Sequence, residues 1–421
     1  MKKFTTTLFS MALATSIFAQ TEVTDTVSLS AGYANQKWYS LANDEQGTAQ
    51  SKDNWDLGFE ITGFSASIIA NTQKSNFLVY KAPFAIGNFN TLDTAGINGW
   101  PTVYNSDTTW SIGAFNKGIT SDPFDLGWGI YDMSTHFVNG DSCFVIKLSA
   151  TSYKKFKIDN LGNGIYNFTY ANIDGSNLQT HALAKATYPG KNFGYYDLTN
   201  NVEVDREPAT ANWDLTFVKY TTFIPMAYGV TGVLSNKGVK VAEADNVPSV
   251  ETYNDYSSAT FNTAMNEIGY DWKAFNMSTG VYNVSHDTCY FIKTNNGDIW
   301  KLRFTGFGGS ANGDFMFAKT LLATTGIDDA AGNTISKFSL YPNPVSGSEL
   351  NILFSSEKDV NDVTVAIMDI TGKTISSQMM NLTSGFNKYS TSVDNLSSGI
   401  YLIQLSAPAP GFRSVQKFVK Q

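Results

Sequence analysis

The sequence predicts an all-β protein: two tandem, mostly antiparallel β modules followed by a small C-terminal β-sandwich. Three observations carry this. Aromatic residues make up 14% of the 421 residues and charged residues 16%, with many Tyr, Phe and Gly; that balance favours strands and turns over helices. Apolar and polar residues alternate in stretches such as Trp55-Asp-Leu-Gly-Phe-Glu-Ile61 and Tyr153-Lys-Lys-Phe-Lys-Ile158, the period of a half-buried strand. No amphipathic pattern of helical period runs for about 12 residues or more. An internal echo then sets the domain count.

Trp128-Gly-Ile-Tyr-Asp-Met133-Ser-Thr and Cys143-Phe-Val-Ile-Lys147 recur as Trp272-Lys-Ala-Phe-Asn-Met277-Ser-Thr and Cys289-Tyr-Phe-Ile-Lys293. Upstream, Asn54-Trp-Asp-Leu-Gly-Phe59 matches Asn212-Trp-Asp-Leu-Thr-Phe217, and Trp38-Tyr-Ser-Leu41 matches Tyr195-Tyr-Asp-Leu198. Downstream, Asn163-Gly-Ile-Tyr-Asn-Phe168 matches Asn312-Gly-Asp-Phe-Met-Phe317. Order and spacing are kept, so the chain holds a duplicated module. Each copy, of roughly 140 to 160 residues, is long enough for its own core.

The N-terminus reads as a secretory signal over residues 1–19: Lys2-Lys3, an apolar stretch from Leu8 to Phe18, and cleavage near Ala19. The first module spans 21–190. Its predicted strands include Val27–Ala31, Lys37–Leu41, Trp55–Ile61 with Trp55, Leu57, Phe59 and Ile61 inward, Asn76–Tyr80, Cys143–Leu148, Tyr153–Ile158 and Ile165–Tyr170. The second module, 191–323, repeats the plan. In it Asn295-Asn-Gly-Asp298 turns Cys289–Lys293 back into Ile299–Phe304, and Phe315–Leu322 completes the sheet. A polar linker, 324–337, leads to a third unit over 338–421. Six or seven short strands in about 85 residues make it a small sandwich.

Several function classes are disfavoured. The formal charge is −8 with no basic run, which argues against nucleic acid. No run of about 18 apolar residues follows the signal, so no helix is expected to span a membrane. No phosphate loop, nucleophile elbow or His-Glu-x-x-His occurs, and the chain is read as non-enzymatic. Two cysteines and three histidines (His136, His181, His286) make a structural zinc site improbable. Cys143 and Cys289 occupy equivalent positions; they either form one bridge in an oxidising compartment or are small buried residues on equivalent strands.

The third unit resembles the C-terminal sorting domain, type A, of the bacterial type IX secretion system. Tyr341-Pro342-Asn343-Pro344, the Asp369-Ile-Thr-Gly372-Lys373 turn, Leu396-Ser-Ser-Gly399-Ile-Tyr401-Leu and the terminal Lys417-Phe-Val-Lys420 carry the resemblance. It implies the type IX machinery as partner, export to the outer-membrane surface or the medium, and a Bacteroidetes source.

The modules resemble the HmuY-like haem-binding family. Asn-Trp-Asp-Leu-x-Phe at 54–59 and 212–217, Glu267-Ile-Gly-Tyr-Asp-Trp272, and Tyr290-Phe-Ile-Lys-Thr-Asn-Asn-Gly-Asp-Ile-Trp-Lys-Leu-Arg-Phe304 carry it. In that family two His or two Met side chains hold haem iron, one of them five residues after a Trp. Met133 and Met277 stand at that spacing here, and thioether ligation suits haem iron. The upstream candidates in the second copy are Met226 and Met265; between Phe64 and Trp128 there is neither His nor Met. The resemblance therefore implies haem or porphyrin capture, with a haem-carrying host protein as a partner. The alternative is a non-catalytic adhesion, saccharide- or peptide-binding protein without a haem site. A shallow groove of Tyr253, Tyr256 and Tyr270 is the expectation attached to that alternative.

Overall fold

The computed structural model describes residues 22–63, 66–118, 122, 124–323, 335–356, 359–370, 372–407 and 412–421. The expected signal, residues 324–334 of the linker and Thr371 of the sorting motif lie outside them. The described chain is almost wholly antiparallel β; its longest α-helix is Gly309–Asn312. No described helix is long and apolar enough to cross a membrane.

The repeats build two cores of matching composition. One gathers Leu57, Phe59, Trp128, Phe144, Phe168 and Tyr196. The other gathers Leu215, Phe217, Trp272, Tyr290, Phe317 and Tyr39. The echoed aromatics are thus core residues, and burial of each such side chain is worth about 1.5–3 kcal/mol.

The sheets divide the chain differently from the sequence repeat. Val23–Ser28 pairs with Asp314–Ala323, placing Val27 opposite Phe315. Asn35–Ser40 pairs with Leu215–Phe223, placing Tyr39 opposite Leu215. The N-terminal segment thus completes the sheets of the second copy. In the mirror exchange, Gln179–Ala184 pairs with Ile165–Asn172, and Phe193–Asp197 pairs with Leu57–Glu60, placing Tyr196 opposite Leu57. One structural module is therefore contiguous, running from Leu57 to Val204. The other joins residues 23–51 to 215–323. The expected division near 190/191 falls before Phe193–Asp197, a strand that belongs to the first core. Local pattern could not reveal this, because Trp38-Tyr39 and Tyr195-Tyr196 are similar aromatic pairs that suit either sheet.

Trp55 also departs from the alternation. Leu57 and Phe59 are buried as expected, but Trp55 is half-buried at the module junction, edge-on to Tyr195 with ring centres 5.0 Å apart. Gly58 is the reason the strand is closed on both faces. A Cβ there would stand 2.7 Å from Ile69 and 3.2 Å from the Tyr195 ring, so its second face packs directly against neighbours.

Cys143 and Cys289 are free and buried. Each lies in a small outer cluster, with Phe89 and Leu92 in one case and Val250 and Phe291 in the other. Burial pushes both thiols up to about 11. The equivalent lysines Lys155 and Lys301 are also buried. Lys155 Nζ donates to Asn90 O at 2.9 Å, and Lys301 Nζ to Glu251 O at 2.8 Å. Each pins a covering loop.

Residues 335–421 fold as a sandwich of a three-stranded and a four-stranded sheet around Phe338, Ile352, Val365, Ile403 and Phe418.

Candidate functional site

Two places answer to the residues singled out by the sequence, and a third emerges only in the structure. The first is the sorting unit, whose motif residues converge on the last strand, Phe412–Lys420. Pro342 lacks a backbone N–H and cannot extend a ladder, and the strand Ile335–Tyr341 ends just before it. Asn343 turns this exit into a clip. Its Oδ1 accepts from Val419 N at 3.0 Å, and its Nδ2 donates to Lys417 O at 3.2 Å. Val345 N then donates to Val419 O at 2.8 Å. On the other side of the last strand, Gly399 lies opposite Lys420 and Leu402 opposite Lys417. Tyr401 stacks on Phe418 at 5.6 Å and donates to Ser397 O at 2.8 Å. Gly372 adopts φ +87° in the turn after Asp369, a region that favours glycine, and its N donates to Asp369 O at 3.0 Å. Tyr341 and Lys417 remain exposed. Pro342 sits between Tyr341 and the Asn343 clip.

The second is the methionine set. Met277 lies in the turn between Lys273–Asn276 and Val281–Val284 and is 86% exposed. Met133 lies in the equivalent turn between Gly129–Asp132 and Phe137–Gly140 and is 52% exposed. Met265 is 6% exposed, packed with Tyr220, Val230 and Leu234. Met226 occupies another turn and is 78% exposed. The structure brings Met265 into a buried cluster and leaves Met133 and Met277 on hairpin tips, so the expected methionines do not share a cavity among the described residues. The histidines are dispersed too. His181 Nε2 pairs with Glu203 Oε1 at 2.7 Å, and His136 Nδ1 with the Tyr131 hydroxyl at 2.8 Å. His286 is exposed. No group of three His, Cys, Asp or Glu residues able to hold a metal occurs among the described residues.

The third place was missed by sequence reasoning: a cleft of about 80 Å³ between the two modules. Trp55, Trp110 and Tyr195 line it from one module and Tyr220, Leu234 and Met265 from the other. Loop 105–112 reaches across, with Trp110 Nε1 donating to Ser235 O at 2.8 Å and Met265 N to Thr108 O at 2.9 Å. The Tyr220 hydroxyl is buried without a hydrogen-bond partner, and burial pushes its ionisation well above the ordinary range. Beside the cleft, Arg206 is buried among Trp38, Trp55 and Tyr195, its guanidinium carbon 5.3–5.6 Å from each ring centre. Tyr253 and Tyr256 do not form the expected groove with Tyr270. They pack on Phe291 at 5.9 and 6.2 Å, while Tyr270 joins the Met265 cluster.

Residues 339–421 match the family model described as the secretion system C-terminal sorting domain. No curated protein matches the chain. Among solved structures, dimeric latent PorU from Porphyromonas gingivalis is 10% identical with a TM-score of 0.18, covering 94% of this chain and 34% of that one. PorZ, a surface component of the type IX secretion system of the same bacterium, is 12% identical with a TM-score of 0.17, covering 66% and 50%. The chain spans a third and a half of the length of these two, and scores this low assign no fold to the modules. The C-terminal unit is different, because its family match and the convergence of its motif on one strand agree. Residues 339–421 are a secretion system C-terminal sorting domain, and the protein is exported by the type IX route to the cell surface or the medium.

Proposed function

We propose that the exported protein is a non-catalytic binding protein whose ligand, a neutral saccharide or peptide, is held by the cleft between the two modules. The observation that supports this is the lining: aromatic faces of Trp55, Trp110 and Tyr195 beside the polar side chains of Asn105, Ser106 and Thr109. Aromatic walls with a few polar groups are the usual chemistry of such sites. A space of this size, two to three waters at about 30 Å³ each, takes one side chain or one hydroxymethyl group and leaves the rest of the ligand on the rim. The test is a titration against panels of neutral oligosaccharides and short peptides, followed by tryptophan fluorescence. A saturable change, abolished in Trp110→Ala, is expected. No saturable ligand in either panel sinks the reading.

Haem capture is the second reading, and the exposed thioethers of Met133 and Met277 at equivalent turns favour it. It needs a second axial ligand, which Met265 can supply only if its cluster opens. A haemin titration decides it: a sharp Soret change at one or two equivalents, lost in Met277→Ala or halved in Met133→Ala, supports capture. A featureless, non-saturating response leaves adhesion through saccharide or peptide as the account.

A further inference from the structure

The two repeats differ at one hairpin. In the first module Leu57–Glu60 and Ile68–Ala70 are four and three residues long. The described residues at the ends of their connection turn inward, with Ile61, Ala66 and Ser67 buried and Ala66 O accepting from Trp128 Nε1 at 3.0 Å. In the second module the equivalent strands, Leu215–Phe223 and Ala227–Ser235, are nine residues each. The extension ends in Phe223-Ile224-Pro225-Met226-Ala227-Tyr228, with all but Ala227 exposed. An unbroken run of exposed apolar residues is unusual on a folded surface and marks a contact site.

This tip is held rigid. The ladder continues to the pair Phe223 and Ala227. Thr222 Oγ1 donates to Asp107 Oδ2 at 2.7 Å, and Gln73 Nε2 to Thr221 Oγ1 at 2.6 Å, anchoring the hairpin to the other module. Phe223 also meets Tyr104 edge-on at 6.1 Å. The two rings wall a cavity of about 350 Å³ whose lining includes Pro101, Val103, Lys117 and Lys81, the last with its Nζ donating to Gly127 O at 2.7 Å, and no carboxylate. On a chain of formal charge −8 this places lysines beside an apolar wedge, with the Asp107 carboxylate held by Thr222 on the hairpin's flank.

We propose that this hairpin tip inserts into an anionic lipid surface, with Lys117 facing the headgroups. Charge complementarity selects the headgroup sign. Shape selects lipid over protein. A stable protein contact needs about 800 Å² per partner, which a narrow hairpin end does not offer. Interfacial insertion needs only apolar side chains reaching about 5–10 Å into the headgroup boundary. Ile224 and Met226 lie outside the cleft between the modules, so this contact stands or falls separately from the ligand reading.

The test is co-sedimentation of the full chain with vesicles of phosphatidylcholine alone and of phosphatidylcholine mixed with phosphatidylglycerol. Binding to the mixed vesicles is expected. It weakens more than about tenfold in the double variant Ile224→Glu, Met226→Glu, which loses the burial of two side chains. It weakens roughly fivefold in Lys117→Gln. Absence of binding by the unaltered chain, or unchanged binding by the double variant, overturns the proposal. Equal binding to neutral and anionic vesicles overturns the headgroup assignment. Self-association through the tip with no vesicle binding assigns the surface to a second copy and also overturns it. A second measurement guards against misfolding. Met226→Cys carries an environment-sensitive label, both native thiols being buried; a blue shift on adding mixed vesicles is expected, and unchanged emission counts against insertion.

Discussion

Asp56 holds Leu198: Leu198 N donates to Asp56 Oδ2 at 2.8 Å across 142 positions of sequence. The equivalent Asp214 holds Leu41, whose N donates to Asp214 Oδ2 at 2.8 Å. The aspartate of each Asn-Trp-Asp-Leu motif thus fastens the strand contributed by the other repeat. Both carboxyls are raised by burial, which outweighs the Lys74 ion pair at 2.7 Å from Asp56. Asp214→Ala leaves Leu41 N unpaired, and a loss of about 1–3 kcal/mol is expected. Urea unfolding measures it; a midpoint unchanged from the parent protein would show that the clip contributes nothing.

The exchange predicts unequal consequences of truncation. Removing residues 22–52 takes Val27, Leu29, Tyr39 and Leu41 from one core and nothing from the other. The contiguous module over 55–207 should remain resistant to protease, while 215–323 becomes sensitive. Equal sensitivity of both segments in limited proteolysis would contradict the assignment of strands.

Arg206 ties the modules by its faces rather than by a carboxylate. It stacks on Trp38 from one module and on Trp55 and Tyr195 from the other, and its Nη2 donates to Ser51 O at 3.1 Å. Burial lowers its ionisation to about 10. Arg206→Ala should destabilise by about 2–4 kcal/mol. Arg206→Lys should recover less than half, because an ammonium lacks the planar stacking surface. Full rescue by lysine in thermal melts would show that charge alone matters.

Glu207 makes stability depend on pH. Burial raises its carboxyl from 4.5 to about 7, against the opposing hydrogen bonds from Tyr195 and Asn192. The folded chain therefore holds that proton more tightly than the unfolded one. Its contribution is fully present below pH about 4.5 and is lost as pH rises through about 7, amounting to at most about 3 kcal/mol. The stability of the parent relative to Glu207→Gln should fall as pH rises across that window. A difference independent of pH would remove Glu207 as the titrating group.

In the sorting unit, Asn343→Ala removes both side-chain bonds to the last strand. A loss of about 1–3 kcal/mol in this unit is expected, together with weaker export measured as protein on the surface or in the medium. Deleting 339–421 should abolish export. Undiminished export of the deletion would show that sorting resides elsewhere in the chain.

The sequence by itself determined what is local. Alternation in Trp55–Ile61 and Ile299–Phe304 marked strands. The echo of Trp128 in Trp272 and of Cys143 in Cys289 marked equivalent core positions. The spacing of Tyr341-Pro-Asn-Pro, Gly399 and Lys417–Lys420 marked the sorting unit. Tertiary structure alone decided which strand completes which sheet, since Trp38-Tyr39 and Tyr195-Tyr196 carry nearly the same side chains and fit either partner; the pairing is set by backbone hydrogen bonds across more than a hundred residues. It likewise decided that Met265 is buried while Met277 stands in solvent, because spacing after a tryptophan fixes a position along a hairpin and not what faces it. The cleft around Tyr220 and the apolar tip at Phe223–Tyr228 arise only where the two modules meet and where one hairpin outgrows its counterpart, so no single stretch of residues could announce them.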